Sequence, residues 1–197
     1  MRDNLTEIVI ILDRSGSMQT IKTAMEAALN GFISEQRSVP GDAHVTLVQF
    51  GSYQDVIYEN EQIENVREIT INPSGMTRLL DTVGTAINMV GKRLEKTPEY
   101  MRPGKVLVAI ITDGEENSST EFTFEDIREM IKHQTDVYNW QFTYLGANQD
   151  AFAVSDSLGI QRSATMNYDA TTDGAKMSVK NLSASAASYR SGDGFSY

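Results

Sequence analysis

Two stretches of the chain are apolar without alternation, residues 8–12 and 106–111. A strand that is covered by helices on both faces needs apolar side chains on both of its sides. The two stretches therefore predict the central strands of a mostly parallel sheet that is buried between helices.

Three further segments have the composition of strands. Residues 45–50 predict a third strand, and the Gly51-Ser52 turn leads from it into residues 55–58, which are expected to pair with it antiparallel at the sheet edge. Residues 138–145 predict another strand, and its aromatic side chains are expected on one face: Tyr138, Trp140, Phe142 and Tyr144.

Apolar residues at three- and four-residue spacing predict amphipathic helices between these strands. The first stripe comprises Met18, Ile21, Met25, Ala28, Leu29 and Phe32, and the second comprises Leu80, Val83, Ile87, Val90 and Leu94. Thr123 and Asp126 have the spacing of a capping box, which predicts the start of a third helix with Phe124, Ile127 and Ile131 facing inward.

The last third of the chain predicts two more helices. Residues 150–158 form a short one that Gly159 is expected to end, and a terminal helix follows the apolar positions Val179, Leu182, Ala186 and Tyr189. Alternating strands and helices predict an α/β fold, a Rossmann-like doubly wound sheet with one antiparallel edge strand and helices on both faces. We expect one domain over residues 1–190 and a short flexible tail over residues 191–197.

Composition narrows the chemistry that this domain can perform. The 197 residues include no cysteine and two histidines, which excludes thiol nucleophiles and cysteine-based metal sites. The net charge of −10 disfavours nucleic acid as a partner, because like charges repel the phosphate backbone. Neither a secretory signal nor a membrane-spanning segment is recognisable, so we expect a cytoplasmic protein.

Polar residues follow the predicted central strands at the edge where open α/β sheets bind ligands. The first strand ends in Asp13, followed by Ser15 and Ser17, and the second ends in Asp113. A polar turn before the second predicted helix brings Thr77 to the same edge. Two carboxylates and three hydroxyls suit a hard divalent cation, Mg²⁺ before Mn²⁺ or Ca²⁺.

The ordered set Asp13-Arg-Ser15-Gly-Ser17, Ser-Gly-Met-Thr77 and Thr-Asp113-Gly resembles the metal-ion-dependent adhesion site (MIDAS) of von Willebrand factor A-type domains. The resemblance covers roughly residues 5–158. One local departure is the Ser-Gly-Met-Thr turn, where many relatives have two consecutive glycines. The intracellular relatives that the chain is most similar to are bacterial or phage proteins linked to tellurite-type stress operons and AAA+ ATPase assemblies.

The resemblance implies that Ser15, Ser17 and Thr77 supply hydroxyls to the cation, while Asp13 and Asp113 act directly or through water. It also implies that the open coordination position accepts an exposed Asp or Glu carboxylate from a partner protein, in a module that binds and does not catalyse. Four residues near these positions are expected to form the partner-binding rim: Met76, Arg78, Glu115 and Asn117.

Three alternatives stay open at this point. Ser15 and Ser17 could merely cap the first helix, since serine is favoured there. The chain could be a metal-dependent phosphohydrolase, although Ser15 occupies the position where such enzymes have a second aspartate for general acid–base catalysis. It could also be a structural subunit of a larger assembly in which the site only stabilises the fold.

Overall fold

The computed structural model describes residues 1–147, 150–195 and 197 as one sheet flanked by helices. The six strands are β1 (Arg2–Asp13), β2 (Asp42–Phe50), β3 (Gln54–Gln62), β4 (Pro103–Thr112), β5 (Gln141–Ala147) and β6 (Thr165–Tyr168). The five α-helices are α1 (Lys22–Arg37), α2 (Leu79–Lys96), α3 (Phe124–Tyr138), α4 (Ala151–Leu158) and α5 (Thr172–Ser191).

The strand order across the sheet is β3-β2-β1-β4-β5-β6. All neighbours pair in parallel except β2 and β3, which are antiparallel and place β3 at one edge. The predicted central strands are confirmed, because β1 and β4 lie side by side in the middle, with Leu12 in register with Ile111. Their carboxyl ends therefore meet at the same edge of the sheet.

Alternate residues of β1 pack into two separate cores, which explains why its sequence is apolar without alternation. Ile8, Ile10 and Leu12 belong to the core beneath α1 and α5. Val9 and Ile11 belong to the core beneath α2, α3 and α4. The predicted doubly wound α/β architecture with helices on both faces is thus confirmed, and each helix packs apolar side chains against the sheet.

The chain between the carboxyl end of β4 and β5 departs from the prediction at two points. Tyr138 is the last residue of α3 and is exposed, and β5 begins only at Gln141, because Asn139 adopts the left-handed conformation that ends the helix. Phe124 opens α3 and is partly exposed, so the expectation that it faces inward was wrong. Trp140, Phe142 and Tyr144 share one core, as predicted.

Two other features were not anticipated. The four-residue edge strand β6 was not predicted, because so short a strand carries too little pattern to be recognised. Met18 lies in a separate 3₁₀ helix, Gly16–Thr20, and α1 begins only at Lys22.

The end of the chain contacts the body of the domain. Gly192 has φ of 98° and ends α5, and Phe195 packs against both cores. The Tyr197 hydroxyl lies 2.8 Å from Thr143 Oγ1, and its backbone N–H donates to the Ser163 carbonyl at 3.1 Å. The flexibility expected for residues 191–197 in solution stays a prediction.

Within the described part of the chain, no helix has both the length and the apolar character of a membrane span.

We predict that Thr123→Ala lowers the free energy of unfolding by about 1 kcal/mol. The Thr123 hydroxyl accepts from the Asp126 N–H at 3.2 Å, and the Asp126 carboxylate accepts from the Thr123 N–H at 2.8 Å, so the predicted capping box is present. Thr135→Ala is the matched control, because its exposed side chain lies in the interior of the same helix. Urea denaturation of the two variants measures the difference, and equal losses would contradict a role for the cap.

Candidate functional site

Asp13 lies at the carboxyl end of β1 and is fully buried. Its Oδ1 accepts a hydrogen bond from the Ser15 N–H at 2.6 Å, and its Oδ2 accepts from Thr112 Oγ1 at 2.6 Å. Thr112 is the last residue of β4, so the Asp13 carboxylate joins the ends of the two central strands. It also holds the chain that turns away from β1 toward the first helix.

A chain of polar contacts extends from Asp13 to the second predicted carboxylate. The hydroxyls of Ser15 and Ser17 lie 3.0 Å apart, and the Ser17 hydroxyl donates to Asp113 Oδ1 at 2.7 Å. Ser15 occupies the position before the 3₁₀ helix, but its side chain forms no capping hydrogen bond. The alternative in which these serines only cap a helix is therefore not what the geometry favours.

The loop that carries Thr77 docks against the turn after β1. The Gly16 N–H donates to the Gly75 carbonyl at 3.2 Å, and the Ser74 N–H donates to the Arg14 carbonyl at 2.8 Å. Gly75 has φ of 80°, a conformation that favours glycine, and a side chain there would also collide with Ser52. Thr77 itself is buried.

The space beside Gly114 is surrounded by oxygen atoms from three segments of the chain. A Cβ atom placed on Gly114 would lie 3.0 Å from Thr77 Oγ1, 3.5 Å from Ser17 Oγ and 3.6 Å from Asp13 Oδ2. The missing side chain thus keeps open a cradle lined by two hydroxyls and a carboxylate. Oxygen donors alone suit a hard cation, so the side chains that converge here fit a divalent metal ion.

The site differs from a carboxylate- or histidine-rich metal centre. Among the residues that the structure describes, no group of three or more His, Asp or Glu side chains is placed to hold a metal ion. Three of the five candidate donors at this edge are hydroxyls, which carry no charge, so the charge of a bound cation would be balanced by Asp13 and Asp113 alone.

Burial raises the pKa of the Asp13 carboxyl from 3.8 to about 6, against the opposing effect of the hydrogen bonds from Thr112 and Ser15. The nearby Asp113 raises the pKa of Asp13 further, and burial also raises the pKa of Asp113 against its bond from Ser17. Two carboxyl groups with raised pKa values in one partly closed space are a favourable environment for a cation.

Tyr168 of β6 lies beneath this pair. Its buried hydroxyl donates to the Thr112 carbonyl at 3.4 Å. Burial, together with the charges of Asp113 and Asp13, raises its pKa, so Tyr168 is a neutral donor under the site.

Three of the four predicted rim residues are exposed: Met76, Glu115 and Asn117. The Met76 side chain is 52% exposed, directly before Thr77, and Glu115 is also exposed. Asn117 also holds the Thr77 loop: its Oδ1 accepts from the Thr77 N–H at 2.9 Å, and its N–H donates to the Thr77 carbonyl at 3.1 Å. Partner contact by these residues stays a prediction.

Arg78, the fourth predicted rim residue, forms an ion pair with the buried Asp81 at 2.6 Å. Burial tends to raise the pKa of Asp81, but the bonds from the Thr120, Glu121 and Phe122 N–H groups and from Arg78 outweigh it and hold that pKa below its ordinary value. Asp81 thus fastens the loop after β4 to the first turn of α2.

Glu116 was not recognised as a structural residue from the sequence, and neither was Asp81. The Glu116 carboxylate accepts from the Ser118 and Ser119 N–H groups at 2.8 and 2.7 Å, and from the Leu80 N–H of α2 at 3.0 Å. The one sequence signal for Asp81 is its position in the first helical turn, where acidic residues are favoured.

Comparison with known proteins agrees with this architecture. The family model for the von Willebrand factor type A domain matches residues 7–172. No curated protein sequence matches the chain. The proximal thread matrix protein 1 from the mussel byssus has a similar structure, with a TM-score of 0.65 and 13% identity over 95% of this chain and 48% of that one. The present chain therefore spans about half the length of the mussel protein.

Two of the similar structures contain a metal ion. One is the mussel protein with a zinc-occupied MIDAS motif, with a TM-score of 0.64 and 13% identity over 92% of this chain and 46% of that one. The other is the manganese-loaded TRAP protein of Plasmodium vivax, with a TM-score of 0.60 and 19% identity over 90% of this chain and 72% of that one. At these identities the likeness concerns the fold. Because the family model spans most of the sequence and the fold agrees with it, the chain belongs to the von Willebrand factor type A domain family.

Proposed function

We propose that this chain is a metal-dependent protein-binding module whose cation binds an Asp or Glu carboxylate of a partner protein. The observation that carries the proposal is the convergence of side-chain oxygens from three chain segments on the space beside Gly114. Domains of this family are generally interaction modules, which supports a binding function over an enzymatic one.

In this proposal Ser15, Ser17 and Thr77 bind the cation through their hydroxyls, and Asp13 and Asp113 bind it directly or through water. Mg²⁺ is the expected ion, because the donors are all hard oxygens, and Mn²⁺ or Ca²⁺ are the alternatives. The zinc and manganese in the two similar structures support a divalent cation without favouring Mg²⁺.

When bound, the cation supplies a Lewis-acidic position for the partner's carboxylate. The chain's own residues prepare that position. Thr112 and the Ser15 N–H hold the Asp13 carboxylate in place, and Asn117 holds the Thr77 loop. Of the proposed rim residues Met76, Arg78, Glu115 and Asn117, Met76 offers the largest exposed apolar contact beside the site.

The wider setting of the module is also a proposal. The resemblance to bacterial and phage relatives favours a cytoplasmic protein that works in a stress-response assembly of the tellurite type. The net charge of −10 favours a partner with a basic surface around its carboxylate and disfavours nucleic acid.

We predict saturable binding of Mg²⁺ and Mn²⁺ to the wild-type protein and loss of that binding in Ser17→Ala. The reason is that Ser17 contacts both Ser15 and Asp113 and lies at the centre of the donor set. Isothermal titration calorimetry measures the binding. Ser157→Ala is the matched control, because its hydroxyl donates to the Ala153 carbonyl within α4 and takes no part in the donor set.

Calorimetric titration of a peptide with one exposed Asp into the metal-loaded protein, together with stability and activity measurements, distinguishes the binding module from the structural subunit and the phosphohydrolase. Metal-dependent peptide binding that Thr77→Ala weakens more than it weakens stability would support the module. Metal that raises the thermal midpoint without any peptide binding would favour a structural subunit. Mg²⁺-dependent hydrolysis of a phosphate ester that is lost in Asp113→Ala would favour the phosphohydrolase.

We predict that Asp13→Asn stabilises the metal-free protein at neutral pH by about 3 kcal/mol. The folded-state pKa of Asp13, about 6, lies above the ordinary value of 3.8, so between these two pH values the folded state holds a proton that the unfolded state has lost. The protonated Asp13 carboxyl therefore keeps the folded protein at full stability below about pH 4. That stability is lost as the pH rises through about 6, because the buried carboxyl must then ionise.

Urea denaturation in a chelator between pH 4 and 8 tests this linkage. The exposed Asp3→Asn is the control and should keep the wild-type pH dependence. If Asp13→Asn also kept it, the buried carboxyl would not be the titrating group. In the wild-type protein, saturating metal should reduce the destabilisation, because the cation stabilises the ionised form.

A further inference from the structure

A cavity of about 440 Å³ lies at the end of the sheet opposite the candidate metal site. It opens between the carboxyl-terminal halves of α2 and α3, above the first residues of β4. We propose that this cavity, the α2–α3 groove, binds a segment of a partner protein that inserts a large apolar side chain beside an acidic residue. The proposal is independent of the metal site.

The floor of the α2–α3 groove is apolar. Ile87, Val106 and Trp140 line it and are buried in the core, so an apolar side chain entering from solvent would contact them directly. The volume lies within the range of about 300–1,000 Å³ that is usual for ligand pockets.

Exposed apolar side chains line the mouth of the groove. Val137 and Tyr138 line it and are each more than half exposed. Tyr100 and Met101 are also exposed and immediately precede Arg102, another lining residue. Exposed apolar side chains at the opening of a cavity are typical of protein-binding surfaces, which favours a protein segment over a small molecule as the occupant.

The charge at the groove is opposite in sign to that of the whole chain. Lys92 and Arg102 line it against the single acid Glu95, while the chain carries a net charge of −10. The Arg102 guanidinium already donates to the Glu95 and Thr97 carbonyls. Lys92 is exposed and forms no ion pair within the described residues, so it can pair with a carboxylate on the partner.

Gly91 offers a way to fill the groove without disturbing the fold. A Cβ atom there would meet only Gln134 Nε2, at 4.0 Å, and leucine is a better helix former than glycine. Gly31 of α1 is the matched control: it is also helical, its Cβ would meet nothing within 4 Å, and it lines a different cavity against residues of α5.

The experiment selects peptides from a random phage-displayed library against the full chain in the presence of a chelator. The selected peptides should carry an aromatic or large aliphatic residue next to Asp or Glu. Their affinity is then measured through the fluorescence of Trp140, the only tryptophan of the chain, which lines the groove.

We expect Gly91→Leu to weaken the selected peptides by about thirtyfold or more, the loss that is typical when an anchoring side chain is excluded. Lys92→Gln should weaken them about two- to fivefold, as for an exposed ion pair. Gly31→Leu should leave the affinity unchanged. Circular dichroism and the thermal midpoint check that each variant is folded, and Lys92→Glu repeats the charge test without filling the cavity.

Three results would overturn the proposal. The first is selection of no peptide, or of peptides that bind wild type and Gly91→Leu equally. The second is selected peptides without acidic residues that bind Lys92→Glu as well as wild type. The third is a concentration-dependent dimer that Gly91→Leu disrupts, which would assign the groove to a second copy of the chain. Because a chelator is present throughout, failure of the metal site would not affect the outcome.

Discussion

The buried carboxylate of Asp13 is the interaction on which the candidate site depends. It accepts a hydrogen bond from the Ser15 N–H in the turn after β1 and another from Thr112 Oγ1 at the end of β4. A single carboxylate therefore links β1, β4 and the turn between β1 and α1. Its burial raises its pKa to about 6, which means that the fold keeps a carboxylate where ionisation is unfavourable. A bound cation would relieve that cost, and this links the stability of the domain to the occupancy of the site.

Around Asp13 the loops are held by groups that have no direct place in the metal chemistry. Asn117 fixes the Thr77 loop through two backbone contacts, and Asp81 and Glu116 fasten the loop after β4 to the start of α2. The hydroxyls are thereby positioned before any ligand arrives, which lowers the entropy cost of binding. Such support is typical of functional sites that are built on rigid elements.

The two ends of the sheet have different chemistry. The carboxyl end presents oxygen atoms and exposed acids, while the α2–α3 groove at the other end presents apolar side chains and the exposed Lys92. The parallel sheet causes this division, because the loops that follow the strands collect at one end and the starts of the strands collect at the other. In our proposals, one module has two separate binding surfaces, one at each end of the sheet.

The sequence by itself determined the α/β class and the central strands, and it predicted that Asp13, Ser15 and Ser17 belong to the candidate site. Those features depend on apolar runs and on residues close together in the chain. It also predicted that Asp113 and Thr77 approach the same edge, because parallel strands connected by helices all have their carboxyl ends at one edge of the sheet. The roles of Asp81, Glu116 and Asn117 were decided only by the tertiary structure, because their partners are about 35 to 40 residues away and any exposed loop has a similar composition. For the same reason, the sequence placed Tyr138 in a strand and Phe124 in the core, where packing and the left-handed Asn139 decided otherwise.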